Sequence, residues 1–519
     1  MTIDNHFEKI VSYKEMKSME KIALNSGKTE SDLINNAGKE IARYIKKNFI
    51  EEKKILFILG KGNNAKDGYI AFKQLLKSKY EINILLVFKD SDYKSWNYDL
   101  NKYASKIYYL NDELNTVQTL INNAEIIIDG IFGIGLNRNI TGNISKLIKH
   151  INYSDKYIIS IDVPSGLSSI YKQKNNNTNT IIANETLCIS GIKDCCLSIN
   201  GHKYSNKLIN LDIGITKYQK NYKYKFLINP QSAFNLIPKK DIYGDKRLSG
   251  ETLIVGGSKK YPGSILMAAS ATLNTGVGLL SLGIPLSIYD VIAGKIPEAT
   301  LDTINNNNNE FISKDNIKYL FENKKRINSL LIGCGMESNN TTQASVDFLL
   351  KNISNHFKYL NGIVIDADGL NNLSKINKWW QYKLPKNTII TPHAREMSRL
   401  TGLSVSEINK NPIEILETYT KLWNVSIVLK GPLTFIGNRH KKYILNKPNP
   451  GLAKGGTGDV LAGVINSFLA QGLNSEHSTI LAVSLISESG EISKEKYGIH
   501  GSTASKLINN ISKIINQNN

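Results

Sequence analysis

Four apolar runs punctuate the first part of the chain: "KKILFILG" (53–60), "EINILLVF" (81–88), "AEIIIDGIFG" (124–133) and "KYIISIDVPSG" (156–166). They are continuously apolar rather than alternating, which is how strands read when a parallel sheet buries both of their faces. Segments with helical spacing lie between them, such as "DGYIAFKQLLKSKY" (67–80), and the helical stretch "YKEMKSMEKIALNSG" precedes them. Strand and helix in alternation predict a three-layer α/β domain. Residues 216–243 lose the pattern and are rich in Lys and Tyr. From "GETLIVGGS" (250–258) a second alternating region begins, with "SLLIGCGME", "GIVIDADGL", "NTIITPHARE" and "VSIVLKGPLTFI" each ending in glycine or polar residues. The expected architecture is therefore α/β, with two three-layer α/β/α domains over 1–222 and 241–519 and a linker at 223–240. The Asn-rich stretches 174–179 and 304–310 read as loop fillers. There is no internal repeat.

Composition narrows the picture. At 519 residues the chain is long enough for two or more domains of ~150 residues each. No run of 18 apolar residues is present, so no membrane partner is expected, and "MTIDNHFEKI" carries no secretory pattern. Four cysteines (Cys188, Cys195, Cys196, Cys334) match no disulfide or zinc spacing, which points to the cytoplasm. The net charge of +20 raises the question of nucleic acid. Only seven of the 65 basic residues are arginine, and the lysines are spread along the chain. A solvated lysine surface accounts for them and no nucleic-acid partner is expected; the alternative is a field that steers an anionic dinucleotide.

Candidate chemistry sits at the strand ends. "GKGNNAKDGY" (60–69) follows a strand and opens a helix, the geometry that aims backbone N–H groups at phosphate. Asp129 ends "IIIDG" and Asp162 ends "SIDVPSG", each beside a glycine loop, so both should converge on one crevice. Oxygens from Asn, Asp and Ser suit an alkali cation better than a transition metal. In the second region, "NPGLAKGGTGDVLAG" (449–463) places glycines ahead of Asp459 at the start of an apolar helix. Its amides form an anion site, and the carboxylate beside them can serve as a general base in phosphoryl transfer.

"GKGNNAKDG", "DGIFGIGLNRNITG", "IDVPSGL", "LINNAGKEIA" and "ANETLCIS", spread over residues 10–225, together resemble the NAD(P)H-hydrate epimerase family, whose fold is Rossmann-like. The resemblance implies that Asn64, Asp129 and Ser165 hold a potassium ion. It implies that Asn63, Asn64, Ala65, Lys66 and Asp67, with Gly133, Ile134, Gly135, Leu136, Asn137, Arg138 and Asn139, line the substrate. Asp162 would contact the substrate as the acid–base group. Ala65 and Lys66 stand where that family usually has two glycines.

"VGGSKKYPGSILMAASATLNTGVG", "DADGLN", "TPHAREMSRLTG", "LKGPLTFI" and "NPGLAKGGTGDVLAG", over residues 235–515, resemble the ADP-dependent NAD(P)H-hydrate dehydratase family, which is ribokinase-like. By that resemblance Lys430, Gly431, Pro432, Leu433 and Thr434 hold ADP, with ATP as the alternative nucleotide. Asn449, Pro450, Gly451, Leu452, Ala453, Lys454, Gly455, Gly456, Thr457 and Gly458 complete the nucleotide site. Ser264, Gly335, His393 and Asp459 face the hydrate, Asp459 is catalytic, and Mg2+ accompanies the nucleotide. "GCGME" and "HARE" depart from the family's usual motifs, and Ser264 replaces a common alanine. The expectation is a homo-oligomeric metabolite-repair enzyme with two activities and a small-molecule substrate, hydrated NADH or NADPH. The alternative is a ribokinase-like small-molecule kinase whose N-terminal domain is a non-catalytic scaffold.

Overall fold

The computed structural model describes residues 3–51, 53–96, 100–111, 114–168, 179–215, 217, 224–304 and 310–519. The Asn-rich stretches at 174–178 and 305–309 lie outside the described residues. The chain divides into two compact units, residues 8–224 and residues 1–7 with 225–519.

In the unit of residues 8–224, seven strands pair in parallel. Their spatial order is Ile107–Tyr109, Glu81–Leu86, Lys54–Leu59, Ile126–Gly130, Tyr157–Ile161, Glu185–Ile189 and Lys207–Leu211. The order reverses between Lys54–Leu59 and Ile126–Gly130, the switch point of a doubly wound sheet, where a crevice opens beyond the strand ends. The four apolar runs supply the central strands, and residues 55–59 and 126–130 are buried throughout.

In the other unit, strands follow the order Ala299–Asp302, Leu279–Gly283, Glu251–Val255, Ser329–Ile332, Gly362–Ile365, Asn387–Ile390 and Ser426–Leu429, all parallel. Thr434–Gly437 and Lys441–Leu445 then continue antiparallel. The helix Thr457–Ala470 is buried from Asp459 onward and packs on Pro262–Asn274. Asn466 Nδ2 donates to Thr252 Oγ1 (2.6 Å) and Ser329 Oγ donates to the Asn466 carbonyl (2.8 Å), which pins this helix to the sheet beneath.

Two segments differ from the expected layout. Part of the expected linker is folded: Tyr224–Leu227 lies beside Lys441–Leu445, and Pro230–Ala233 is helical with Asn229 as its cap. The N-terminal residues, expected with the first domain, pack with the second. Ile3 and Phe7 are buried with Phe226, Ile228 and Tyr443, while Asp4 accepts from Tyr443 Oη (2.8 Å) and Lys441 Nζ (2.7 Å). Among the described residues no helix is long and apolar enough to cross a membrane.

Candidate functional site

Several helices lack a side-chain cap, Gly142–Asn152, Pro262–Asn274 and Ala504–Gln517 among them, but in each unit one such helix also begins directly after a glycine. Ser12, Thr29, Ser313 and Asn339 close capping boxes over their helices. Asn63–Leu75 and Thr457–Ala470 instead start after a glycine, with no side chain capping them. Their unpaired N–H groups are left for a ligand.

In the first unit the open turn borders a cavity of about 640 Å³. Asn63, Asn64, Asp67, Asp162 and the whole stretch Gly133–Arg138 line it, as expected from the sequence. Ala65 does not: it is fully buried in the core between helix and sheet. Lys66 and Asn139 are also not part of the lining; Lys66 Nζ lies 3.9 Å from Glu30. The loop passes the next strand so closely that a Cβ on Gly60 would meet the Ile131 carbonyl oxygen at 1.9 Å, hence glycine.

Asp129 is fully buried beside this cavity's loops. Its carboxylate accepts from Ser165 Oγ (2.5 Å), Ser165 N (2.9 Å), Ser160 Oγ (2.7 Å) and Ile131 N (3.2 Å). Burial pushes its pKa up, and these donors pull it back. Asn64 Nδ2 donates to the Phe132 carbonyl (3.1 Å), which Ser165 Oγ also approaches (3.2 Å). The Asn64 Oδ1 atom is buried with no hydrogen-bond partner. Asn64, Asp129 and Ser165, the expected potassium set, thus come together, joined by a backbone carbonyl that no residue type could signal. An orphaned amide oxygen among hard oxygens fits an alkali cation.

Asp162 directly follows the strand Tyr157–Ile161 with a left-handed backbone, φ +65°. Its Oδ1 pairs with the ammonium of Lys193 (2.7 Å) and accepts from Ile189 N (3.1 Å). Burial first, then the charge of Asp162, hold Asp67 well above the usual carboxylate range.

In the second unit Asp459 sits in the first turn of Thr457–Ala470. Burial, then Asp366, raise its pKa to about 7, while hydrogen bonds with Cys334 and Ser264 and the charge of Lys430 oppose the shift. Lys430 Nζ donates to Asp366 Oδ1 (2.7 Å), which also takes Thr391 Oγ1 (2.7 Å). Ligand atoms of Cys334, Asp366 and Asp459 lie within 4.8 Å of one another. Gly456 has φ +90°, and a Cβ there would strike Met267 Sδ at 2.3 Å. Thr457 Oγ1 is buried with no partner.

Ser264 reaches Asp459, and Gly335 packs against Ser264 and Tyr261. His393 has a structural task besides any contact with substrate. Its Nδ1 accepts from Arg395 N and Glu396 N (both 3.1 Å), capping the helix Ala394–Thr401 as a neutral ring. Burial, then Lys430, lower its pKa, and burial raises neighbouring Glu396 to about 7. Within the expected nucleotide stretch, Leu433 is buried, and Asn449 caps Pro450–Leu452 while donating to Glu491 (2.9 Å). Lys454 donates to the His500 carbonyl (2.6 Å). Asp366, Thr391, Cys334 and Lys193 were not singled out with firm roles from sequence; only the pairing of distant strand ends reveals them.

Two family models match the chain. One, described as NAD(P)H-hydrate dehydratase, covers residues 252–513, and the other, YjeF-related protein N-terminus, covers 30–195. The chain is 30% identical over 497 residues to a bifunctional NAD(P)H-hydrate repair enzyme of Dictyoglomus turgidum, covering 92% of each chain. It is 27% identical over 512 residues to the enzyme of that name from Moorella thermoacetica, covering 96% of this chain and 95% of the relative. A ribokinase-like superfamily protein from Enterococcus faecalis V583 shares the fold over 57% of this chain and 96% of its own, with a TM-score of 0.50 and 23% identity.

Proposed function

The chain belongs to the bifunctional NAD(P)H-hydrate repair enzymes, and from that premise we propose which residues run each half of the repair. The protein is an enzyme with an epimerase unit and a dehydratase unit. The first interconverts the R and S hydrates of NADH and NADPH; the second returns the S hydrate to the reduced cofactor. The observation that carries the assignment of residues is the pair of uncapped, glycine-led helix tips, each beside a buried carboxyl group.

In the dehydratase unit, the amides at Gly456–Gly458 and the ammonium of Lys430 grip the phosphates of ADP, or of ATP as the alternative. Asp459 removes the proton from the hydrate's hydroxyl as its oxygen attacks the terminal phosphoryl group. The bond to the bridging oxygen breaks and AMP leaves. The phosphorylated carbon then loses phosphate, and the neighbouring carbon gives up a proton, which restores the ring's double bond. Mg2+, when bound with the nucleotide, would draw charge off the phosphates. The test is to mix the protein with NADPH hydrate and ADP and follow the reduced nicotinamide absorbance. One AMP and one phosphate should form per cofactor restored; restoration without nucleotide consumption overturns the assignment.

A pH profile follows from the same carboxyl group. Asp459 accepts a proton only when ionised, and its pKa is raised to about 7. The kcat/KM for dehydration should fall about tenfold per pH unit below that value and level off above it. A flat profile down to the ordinary carboxylate range contradicts the role.

In the epimerase unit the cavity lined by Asp67 and Asp162 takes the hydrated ring. Asp67, held neutral, gives its proton to the departing hydroxyl, which leaves as water while the ring nitrogen's electrons form a cation. Water returns to the other face, Asp162 takes the released proton, and that proton passes back to Asp67. Asn64, Asp129, Ser165 and the Phe132 carbonyl would hold K+, which would supply a fixed positive charge toward the anionic substrate. Replacing K+ by Li+ should slow epimerisation at least ~10-fold, and Asp129→Asn should erase that difference. Equal rates in the two salts remove potassium from the account. A cytoplasmic location and a homo-oligomeric state form part of the same reading; the four cysteines are unpaired.

A further inference from the structure

Lys193 is the one residue of the first unit that is both fully buried and cationic among the described residues. It ends the two-residue strand Ile192–Lys193, which pairs in parallel with Glu8–Val11. Its ammonium has three oxygen neighbours: it pairs with Asp162 Oδ1 at 2.7 Å and donates to the Ile189 carbonyl at 2.6 Å and the Gly191 carbonyl at 3.0 Å. Its side chain is 0% exposed and that of Asp162 14%. Burying such a pair seldom gains stability over apolar residues of the same volume, so its presence asks for another reason.

The geometry gives one. Asp162 holds a backbone conformation that side chains rarely adopt, φ +65°, and such strain persists where the surroundings fix it. Lys193 Nζ and Ile189 N together occupy Oδ1. Among the described residues nothing donates to Oδ2, and the residue lines the cavity. We propose that Lys193 is a positioning residue of the epimerase, clamping Asp162 through Oδ1 so that Oδ2 alone faces the water that returns to the ring. Cys188 and Cys196 are further titratable groups facing the ammonium, and Lys66 and Glu20 face Asp67. This inference rests on the reading of the cavity as the epimerase site.

The experiment uses the full-length enzyme without nucleotide, following conversion of R hydrate to S hydrate by chromatography. Lys193→Met, which fills the same volume without charge, and Lys193→Ala should each lower kcat about 100-fold with KM nearly unchanged. Propylammonium added to Lys193→Ala should restore at least ~10-fold of the loss, and propanol none of it. Dehydration of S hydrate by the same preparations should keep its wild-type rate. Wild-type turnover in Lys193→Met, or no restoration by the amine, overturns the clamp. Asp162→Asn separates the two levels: if it epimerises normally, the cavity itself is misassigned. If it is inactive while Lys193→Met is active, the clamp alone falls.

Discussion

Asp459→Asn is expected to reduce dehydration of the S hydrate by about 10²- to 10⁴-fold, the range that loss of a general base produces. The amide keeps the size of the side chain and can still meet Cys334 and Ser264, which lie against Asp459. ADP should therefore bind within several-fold of its wild-type affinity, so the loss falls on kcat. Epimerisation should continue unaltered, because Asp459 lies in the other unit. Undiminished repair turnover by the variant would remove the carboxylate from the chemistry.

Lys430→Met should damage both activity and stability. Its ammonium is the buried partner of Asp366, which is 1% exposed, and removing one member of such a pair leaves an uncompensated charge at a cost of about 3–5 kcal/mol. The second unit should unfold at markedly lower denaturant, and dehydration should fall at least ~10³-fold with the loss of the phosphate contact. The double variant Asp366→Asn, Lys430→Met should regain much of the stability and none of the activity, which separates the two roles of the lysine. Recovery of both would reduce Lys430 to a structural partner.

The sheets were legible in the sequence because parallel strands bury both faces and write continuous apolar runs, as in "ILFIL" and "III". The glycine loops were legible because few other residues fit beside Ile131 or Met267. Of the residues expected along the first crevice, Ala65, Lys66 and Asn139 lie off the cavity, Ala65 because on a helix start one position faces the cavity and the next the core. What stayed hidden depends on pairing across the fold. Lys430 and Asp366 are 64 residues apart, and only the strand order joins them. Lys193 stands in the polar stretch "GIKDCC", which carries no periodicity to mark a buried site. The Phe132 carbonyl is backbone and leaves no trace in residue type. "YKYKFLI" alternates lysine with aromatics and reads as linker, although Lys225 is buried in the strand Tyr224–Leu227. Residues 3–7 are too few for a pattern, and their docking beside Tyr443 shows only in three dimensions.

The most direct test of two sites acting in series is to supply each stereochemically pure hydrate of NADPH, with ADP, to the wild-type enzyme and to Asp162→Asn. Wild type should restore both forms. The variant should restore the S hydrate at the wild-type rate and leave the R hydrate at the uncatalysed rate. Restoration of the R hydrate by Asp162→Asn as fast as by wild type would contradict the account.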